Sequence, residues 1–299
     1  MRMNFKIKSS HIQVALLTFA SILIVQYALH VSPKLVKSPI PKSKIWYLGK
    51  GDYFLDTIQG SYHHLVTDFP LLELAPNNNQ LVELEGYSNS KRFLNTKIEN
   101  DTLFVLQTFP NSDTVLVASE GDYPIIVRAG AQSIESITIL KDGKIDIPVR
   151  PYGSNPDGEI VYKENDWKKY VIRKDQLLIN LIDNGRIKMF SEIKDLKLNF
   201  KKKHLGNISY QHNEILGTVQ NLSIIHPEGL VQIYAPSLVC DSLTVLTDPT
   251  AKFKERGQIT MRISSYLKAE IYHDLDIAYT GNPEINKFEK DLGRVININ

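Results

Sequence analysis

The amino-acid sequence predicts an all-β body behind one N-terminal transmembrane helix. Three observations lead to this fold class: a charge-free apolar run near the N-terminus, apolar residues at every second position in later segments, and glycine-containing turns between those segments. Side chains of a strand point to opposite faces in turn, so alternation at period two predicts half-buried strands. After the apolar run, no segment has the pattern of an amphipathic helix of three turns.

The apolar run covers residues 12–31, IQVALLTFASILIVQYALHV, and its polar positions are all uncharged. At about 1.5 Å per residue, a helix of this length spans about 30 Å, the thickness of a bilayer's hydrocarbon core. A cleaved signal peptide is the alternative, because the preceding residues 1–11 are basic. Its apolar region would be shorter, however, and no small-x-small cleavage site precedes Pro33. We therefore predict an uncleaved anchor at 12–31 after a short N-terminal tail at 1–11.

Residues 32–44, SPKLVKSPIPKSK, contain three prolines, which favour extended geometry and predict a semi-rigid linker. Eight basic residues and no acidic one precede Asp52, which leaves 27 basic residues (35 less 8) against 33 acidic ones in the body. This negative balance argues against a nucleic-acid partner, whereas membrane lipid is expected to surround 12–31. Basic residues flank the apolar run on both sides, so charge alone does not set its orientation.

The body, at roughly 250 residues, is long enough for one large or two smaller domains. Alternation is clearest in LKLNF at 196–200, ITMRI at 259–263 and LDIAY at 275–279. The dipeptides Asp142-Gly143 and Asn184-Gly185 predict tight hairpin turns. This spacing permits a sandwich, a barrel or a β-solenoid. Turn-forming residues at 151–166 predict a loop or boundary between a first β subdomain at 45–150 and a second at 167–299.

Three segments resemble a known family. They are VELEGYSNSKRFLNTKIENDTLFV at 82–105, IIVRAGAQSIESITILKDGKIDI at 125–147, and SSYLKAEIYHDLDIAYTGNPEI at 264–285 followed by GRVININ at 293–299. Together they resemble the "putative auto-transporter adhesin, head GIN domain" family of bacterial envelopes, over about residue 53 to the end. Members of that family tend to finish with a strand, a D-I-x-Y-x-G-N-P turn and a closing strand. The residues that fit this ending are Asp276, Ile277, Tyr279, Gly281, Asn282 and Pro283.

The resemblance implies a right-handed parallel β-helix-like body displayed outside the cytoplasmic membrane, and a β-sandwich is the alternative. It also implies no assigned enzyme activity and no catalytic residues. The motif residues are expected to form a structural turn, because glycine permits an unusual φ and proline fixes the next bend. This expectation concerns Asp276, Tyr279, Gly281, Asn282 and Pro283.

The candidate metal ligands and nucleophiles form no strong pattern. His63 and His64 are adjacent, so a strand would point them to opposite faces and keep them from sharing a metal. The segment HDLD at 273–276 is expected to be a solvated acidic edge, with a weak cation site as the alternative. Cys240, the single cysteine, is expected to be a small buried hydrophobe. We therefore expect no cofactor and no metal.

Four tyrosines lie in turn-rich contexts where an exposed ring could stack on sugars or peptides: Tyr62, Tyr87, Tyr152 and Tyr162. Packing in the core or anchoring of a loop is the favoured alternative for each of them.

Two main classes of function follow, beside a signalling role in which the short N-terminal tail would report on the body through the single span. The first is a non-enzymatic, membrane-anchored envelope protein whose exposed strands bind a glycan or an envelope protein. The second is a polysaccharide-processing enzyme with two carboxylates facing each other across a groove. No setting in the sequence singles out such a pair, which favours the first class. We expect the body to lie outside the cytoplasm on a single-pass anchor; export after cleavage of 12–31 is the alternative.

Overall fold

The structure is a computed structural model, and it describes residues 45–47, 52–70, 72–76, 80–108, 115–117, 125–141, 143–147, 153–154, 160–161, 170–201, 211–227, 231–250, 256–289 and 293–299. The chain divides into two compact units. The smaller unit consists of residues 1–46 and 113–117, and the larger one of residues 47–112 and 118–299. In the described part of the smaller unit, β1 (Ile45–Tyr47, whose last residue belongs to the larger unit) pairs with β8 (Val115–Val117).

The predicted tail, anchor and linker at 1–11, 12–31 and 32–44 lie outside the described residues. Within the ranges that the structure covers, no helix has the length and apolar character needed to cross a membrane.

The larger unit is built from strands, which confirms the predicted all-β class, and a 3-10 helix occupies Ser88–Phe93. Its strands are β2 (Tyr53–Gln59), β3 (His64–Thr67), β4 (Leu72–Ala75), β5 (Leu81–Tyr87), β6 (Leu94–Glu99), β7 (Thr102–Gln107), β9 (Ile125–Gly130), β10 (Ser136–Ile139), β11 (Lys144–Asp146), β12 (Gly153–Ser154), β13 (Ile160–Val161), β14 (Ile172–Ile182), β15 (Arg186–Lys201), β16 (Gln211–Ile225), β17 (Val231–Leu246), β18 (Gly257–Ile271), β19 (Leu275–Thr280), β20 (Glu284–Glu289) and β21 (Arg294–Asn297).

Five consecutive strands, β14 to β18, pair with one another in chain order and in parallel. The register places Leu177, Leu196, Leu222, Leu243 and Leu267 opposite one another on successive strands, at steps of 19, 26, 21 and 24 residues. Two parallel neighbours need a connection that returns the chain to the same end of the sheet. The 19 to 26 residues between matched leucines therefore include both a strand and this connection.

Most strands of the larger unit form two ladders, which are two series of neighbouring strands joined by backbone hydrogen bonds. The long strands β15 to β18 each contribute to both ladders. Their N-terminal halves belong to the first ladder, which continues through β19 and β21 on one side and through β11, β4, β9, β5 and β2 on the other. Their C-terminal halves belong to the second ladder, which continues through β20 on one side and through β14, β10, β3, β7 and β6 on the other. In the described part of these ladders, the antiparallel pairs all lie at the N-terminal end.

Inward side chains of the second ladder form a continuous apolar column. Each of its members is at most 1% exposed, and each lies opposite the next in register: Leu65, Ile137, Ile179, Leu198, Ile224, Val245 and Ala269. Full burial of one large aliphatic side chain contributes about 1.5–3 kcal/mol, so this column is a main source of the stability of the stack.

The two predicted hairpins are wrong, although both glycines lie in turns. Strand β10 does not pair with β11, and β14 pairs with β15 in parallel, so each turn carries the chain from the second ladder to the first. Close approach between stacked turns explains the glycines: a Cβ on Gly143 would lie 2.9 Å from the carbonyl oxygen of Thr67, and one on Gly185 would lie 2.8 Å from that of Ile139.

The segment predicted as a loop or boundary, 151–166, lies mostly outside the described residues. Its described parts are β12 and β13, which form an antiparallel pair. Strands from the two predicted subdomains pair directly, since β10 bonds to β14 and β11 bonds to β15. Hydrogen bonding between strands therefore continues across this segment.

Candidate binding face

The outward side of the first ladder at its N-terminal end carries a set of side chains that we call the tyrosine face. It comprises alternate residues of β2 and β5 and one residue of β9: Tyr53, Leu55, Thr57, Gln59, Leu81, Glu83, Glu85, Tyr87 and Arg128. In β5, the alternate residues Val82, Leu84 and Gly86 are buried, so the intervening side chains must point outward.

Two tyrosines form the aromatic end of the face. Tyr53 and Tyr87 lie opposite each other in register, with ring centroids 5.7 Å apart and ring planes at 84°, an edge-to-face arrangement. Tyr53 is 60% exposed, and Leu55, on the same side of β2, is 69% exposed. The Tyr53 hydroxyl donates a hydrogen bond to Glu85, and this bond raises the pKa of Tyr53. The ring is therefore held in one orientation while much of its surface remains in solvent.

Arg128 organises the carboxylates of the face. Its Nε donates to Glu73 Oε2 on β4 at 2.7 Å, its Nη1 donates to Glu85, and Glu83 Oε2 lies 3.9 Å from the same Nη1. Burial lowers the pKa of Arg128, but the hydrogen bonds and charges of Glu85 and Glu73 outweigh burial, and its pKa is raised. The guanidinium of Arg128 is therefore held by two carboxylates and lies near a third, so this part of the face is rich in carboxylates.

A shallow, open cavity of about 510 Å³ lies where β2 ends and β5 begins. The described residues that line it are Gln59, Gly60, Ser61, Gln80 and Leu81. Two primary amides and a hydroxyl supply both donors and acceptors, and the volume falls within the usual range of small-molecule sites. Gln59 and Leu81 belong to both the cavity and the tyrosine face.

The outward side of the second ladder differs, because its polar side chains bond to one another across strands. Asn199 Nδ2 donates to Asn180 Oδ1 at 3.0 Å, and Asn180 Nδ2 donates to Thr138 Oγ1 at 3.4 Å. Asn221 Nδ2 donates to Asp195 Oδ1 at 2.7 Å. These groups would have to break existing bonds to hold a ligand, which makes the tyrosine face the stronger candidate.

The predicted turn motif lies where the chain passes from β19 in the first ladder to β20 in the second. Gly281 has φ 107°, and a Cβ there would lie 2.1 Å from a carbonyl oxygen of β18. Gly217, in the middle of β16, has φ 98° and the same 2.1 Å approach to β15. Asn282 is exposed and Pro283 is half-buried just before β20. Both glycines therefore lie where the chain bends from one ladder to the other.

The other two motif residues lie in β19. Asp276 accepts hydrogen bonds from Arg294, whose Nη2 lies 2.9 Å from Oδ2, and Arg256 Nε lies 3.3 Å from the same oxygen. Tyr279 is buried in the core opposite Met261. Two guanidinium groups already neutralise the Asp276 carboxylate, which disfavours the alternative of a cation site at 273–276.

The histidine pair and the cysteine form no shared site. His63 Nδ1 lies 2.8 Å from Asp101 Oδ1, whereas His64 Nδ1 lies 2.8 Å from Ser136 Oγ. Across the described ranges, no three His, Cys, Asp or Glu side chains are grouped so that they could hold a metal. Cys240 is buried, and burial raises the pKa of its thiol to about 12, so the reactive thiolate is disfavoured.

The four singled-out tyrosines have different positions. Tyr62 is 0% exposed, its hydroxyl donates to the carbonyl oxygen of Gly130 at 3.2 Å, and burial raises its pKa to about 12. Tyr87 belongs to the tyrosine face and is half-buried. Tyr152 and Tyr162 lie outside the described residues.

Sequence reasoning did not single out Tyr53, Leu55 or Arg128. In β2 the sequence YFLDTIQ places apolar residues on both sides, so alternation does not mark an outward face. The lone charge in the apolar strand IIVRAG was the available signal for Arg128. A charge in such a strand requires partners, and here they come from two neighbouring strands.

The fold and this face define a class: all-β proteins built from stacked, mainly parallel strands that present an aromatic and acidic surface. Within that class, the chain belongs to the family described as "Putative auto-transporter adhesin, head GIN domain", whose profile matches residues 71–283. This match confirms the resemblance seen in the sequence. No curated protein sequence matches the chain.

Three solved structures have a similar fold, each at 14% sequence identity and with all of its own length covered. A putative adhesin from Bacteroides fragilis NCTC 9343 has a TM-score of 0.56 and covers 85% of this chain. A putative lipid binding protein from Parabacteroides distasonis ATCC 8503 has a TM-score of 0.54 and covers 86%. A putative adhesin from Parabacteroides merdae ATCC 43184 has a TM-score of 0.50 and covers 86%.

Proposed function

We propose that this protein is a membrane-anchored, non-enzymatic binding module of the cell envelope, with its body outside the cytoplasm. The tyrosine face carries the proposal, because it joins exposed aromatic and aliphatic surface to carboxylates held by one arginine. Membership in an adhesin family over residues 71–283 supports a binding role outside the cytoplasm. The apolar segment 12–31 is the proposed anchor, and 32–44 is the proposed linker to the body.

We propose further that the body is a right-handed parallel β-helix. Five strands that stack in chain order and in parallel support this fold, as do the glycines at the bends of β16 and after β19. The Gly281-Asn282-Pro283 turn has a structural role in this proposal, because it carries the chain between ladders.

The arrangement of carboxylates supports binding over hydrolysis. Glycosidases need two carboxylates on either side of the scissile bond. In the tyrosine face, Glu83 and Glu85 are two residues apart on the same side of one strand, and both lie near Arg128. They lie side by side rather than across a groove, so they offer no general acid and base on opposite sides of a sugar.

The charge of the face supports a polar partner over an acidic lipid surface. A structurally similar protein is described as a putative lipid binding protein. In this chain, the carboxylates of Glu73 and Glu85 already bond to Arg128, so an anionic head group would have to displace them. A glycan or an envelope protein therefore fits the face better.

Membrane extraction tests the anchor. The full chain, expressed in bacteria, should remain in the pellet after an alkaline carbonate wash. The double variant Leu16→Arg, Leu23→Arg should be released, because an arginine at the centre of a spanning helix, near Leu23, costs roughly 3 kcal/mol and the second arginine adds to that cost. The matched variant Leu16→Ile, Leu23→Ile should stay in the pellet. Release of the unaltered chain would overturn the anchor.

Protease treatment of spheroplasts tests the orientation. With a C-terminal epitope on the full chain, external protease should remove the signal while a cytoplasmic marker stays intact. Full protection of the epitope until the cells are lysed would overturn the proposed side of the membrane.

A further inference from the structure

The tyrosine face runs along an edge strand. Among the described strands, β2 bonds to β5 alone, so the face is bordered by β5 on one side only. From Tyr53 to Gln59, six steps along β2 at about 3.3 Å each give a length of about 20 Å. The cavity at Gln59 lies at one end of this length and the tyrosine pair lies at the other. An extended, linear ligand matches this shape.

The tyrosine end suits the apolar side of a sugar ring. A pyranose presents C–H groups on its faces and hydroxyls on its rim, so it packs against aromatic rings while its rim stays polar. Tyr53 and Leu55 are the most exposed large apolar residues of the described chain, at 60% and 69%. The Tyr53 ring is already oriented by Glu85 and Tyr87, so binding would cost little side-chain entropy.

The rest of the face suits hydroxyl groups. The Glu83 side chain, 39% exposed, can accept hydrogen bonds from hydroxyls. At the cavity, Gln59, Gln80 and Ser61 can both donate and accept. A polymer with many hydroxyls and an apolar ring face could use both ends of the face together.

Charge narrows the class of glycan. Three carboxylates surround Arg128, and two of them hold its guanidinium at hydrogen-bonding distance. An acidic sugar or phosphate would have to displace these carboxylates from Arg128 and would meet their repulsion. An uncharged chain meets neither obstacle.

We infer that the tyrosine face binds an uncharged glycan chain, whose sugar rings pack on Tyr53 and Leu55 and whose hydroxyls reach Glu83 and the cavity at Gln59. This inference names the ligand class and the site of the proposed function, and it rests on that function.

The test uses the full chain in detergent and an array of neutral and uronic-acid oligosaccharides. Affinity for the best neutral ligand is then measured by calorimetry. The unaltered chain should bind neutral oligosaccharides and not acidic ones. Tyr53→Ala should weaken binding at least tenfold, and Tyr53→Phe, which keeps the ring, should stay within about threefold. Tyr234→Ala is the matched control: Tyr234 is 49% exposed but lies on β17, away from the face, so its removal should leave affinity unchanged.

Three results would overturn the inference: equal binding by Tyr53→Ala and the unaltered chain, a preference for acidic oligosaccharides, or binding to phospholipid vesicles in place of any oligosaccharide. Circular dichroism of each variant must match the unaltered chain. If Tyr53→Ala unfolds, Leu55→Ala takes its place, with the same expected loss.

A second measurement separates failure of the inference from failure of the proposed function. The full chain is incubated with isolated cell envelopes before and after periodate oxidation, which destroys vicinal diols of sugars. We expect the unaltered chain to lose binding after periodate oxidation, and Tyr53→Ala to bind untreated envelopes weakly. If neither the oxidation nor the substitution reduces binding, the glycan inference is refuted while the envelope-binding function stands. No binding to any envelope would refute the proposed function itself.

Discussion

The stack of strands ends differently at its N-terminal side and at its C-terminal side. At the N-terminal end the chain folds back in antiparallel pairs, and the inward residues Phe54 and Ile58 of the edge strand β2 pack against the core. Lys91 of the 3-10 helix lies 5.3 Å from the centre of the Phe54 ring and forms an ion pair with Asp56 at 2.7 Å. This end is therefore closed mainly by apolar packing and a change of strand direction.

At the C-terminal end the strands stay parallel, and two of the three inward positions of the last strand of the second ladder, β20, become charged. Ala269 of β18 lies opposite Lys287 of β20, and Ile271 lies opposite Glu289. Lys287 and Glu289 form an ion pair at 3.2 Å, and Glu289 also accepts a hydrogen bond from the Val295 backbone at 2.7 Å. All six residues of β20 are exposed.

The difference shows that a stack of parallel strands can end without a change of strand direction, when charged side chains on its last strand oppose the addition of another strand. Another strand added beside β20 would bury the Lys287 and Glu289 charges, and desolvation of an ion pair opposes that step. Inward-pointing charges on edge strands are a known protection against edge-to-edge association. The N-terminal end instead relies on its antiparallel pairs and half-buried ring, and it leaves the tyrosine face on the outside.

The largest expected effect concerns glycines at the two ends. Gly281→Ala should destabilise the protein by about 3 kcal/mol, because φ is positive and the new Cβ would meet backbone at 2.1 Å. Gly60→Ala is the matched variant at the N-terminal end. Its Cβ would meet only the tip of the Ile98 side chain, at 2.6 Å, so the loss should stay below about 1 kcal/mol. Urea unfolding measures both, and equal losses would contradict the assignment of a backbone clash to Gly281.

The next largest effect is a loss of stability at alkaline pH caused by ionisation of Tyr62. The hydroxyl of this residue donates a hydrogen bond to Gly130, at the end of β9. Its pKa is raised from 10.0 to about 12, so the neutral form is favoured in the folded state. The resulting stabilisation, about 2 kcal/mol, is present below pH 10 and is lost as the pH rises to 12. Tyr62→Phe should flatten the pH dependence of the unfolding free energy over this window.

Ionisation of Cys240 should also lower the stability at alkaline pH, since burial raises the pKa of its thiol from 9.0 to about 12. The measurement is therefore made in a Cys240→Ala background, where the difference in slope with and without Tyr62→Phe reports on Tyr62. An unchanged slope in Tyr62→Phe would refute the assignment to Tyr62.

A smaller effect separates the apolar residues of the two ends. Phe54→Ala should cost about 1–2 kcal/mol, less than a fully buried phenylalanine, because the ring is half-buried against the core. Ile285→Ala should cost less than about 0.5 kcal/mol, because Ile285 is 41% exposed on β20. Thermal unfolding of the two variants compares them. A larger loss for Ile285→Ala would show that the C-terminal end also depends on apolar packing.

The smallest effect on stability should accompany a change in association. The double variant Lys287→Val, Glu289→Val removes a solvent-exposed ion pair, so stability should change by less than about 1 kcal/mol. The stack would then end in an apolar inward surface, and sedimentation velocity should show more self-association than in the unaltered chain. Asn286→Val adds a similar side chain on the outward side of β20 and is the matched control. Equal association in both variants would refute the protective role of the two charges.

Many strands of the body were predictable because alternating apolar and polar residues in a sequence indicate a half-buried strand. The segments at 196–200, 259–263 and 275–279 all lie in strands, and burial alternates throughout the first two and over 275–277 of the third. The turn glycines were also predictable as turns, but not as connections between ladders. Local sequence shows where the chain turns, whereas parallel or antiparallel pairing depends on which distant segment lies beside it.

The candidate face was predictable only in part. Tyr87 stood out because it lies in a turn-rich context, but two other members of the face, Tyr53 and Arg128, are 34 and 41 residues away along the chain. Carboxylates such as Glu85 gain significance only when the register places them beside these groups. Nothing local to any of these residues reveals that proximity.

The sequence by itself therefore determined the all-β class, the family, the positions of most strands and turns, and the apolar segment at 12–31. These properties depend on residues close together in the chain, where side-chain period, φ preference and apolar length act locally. The tertiary structure decided the parallel register, the two different ends of the stack and the composition of the tyrosine face. These depend on pairing between segments far apart in sequence, and such pairing is settled by burial of the shared core.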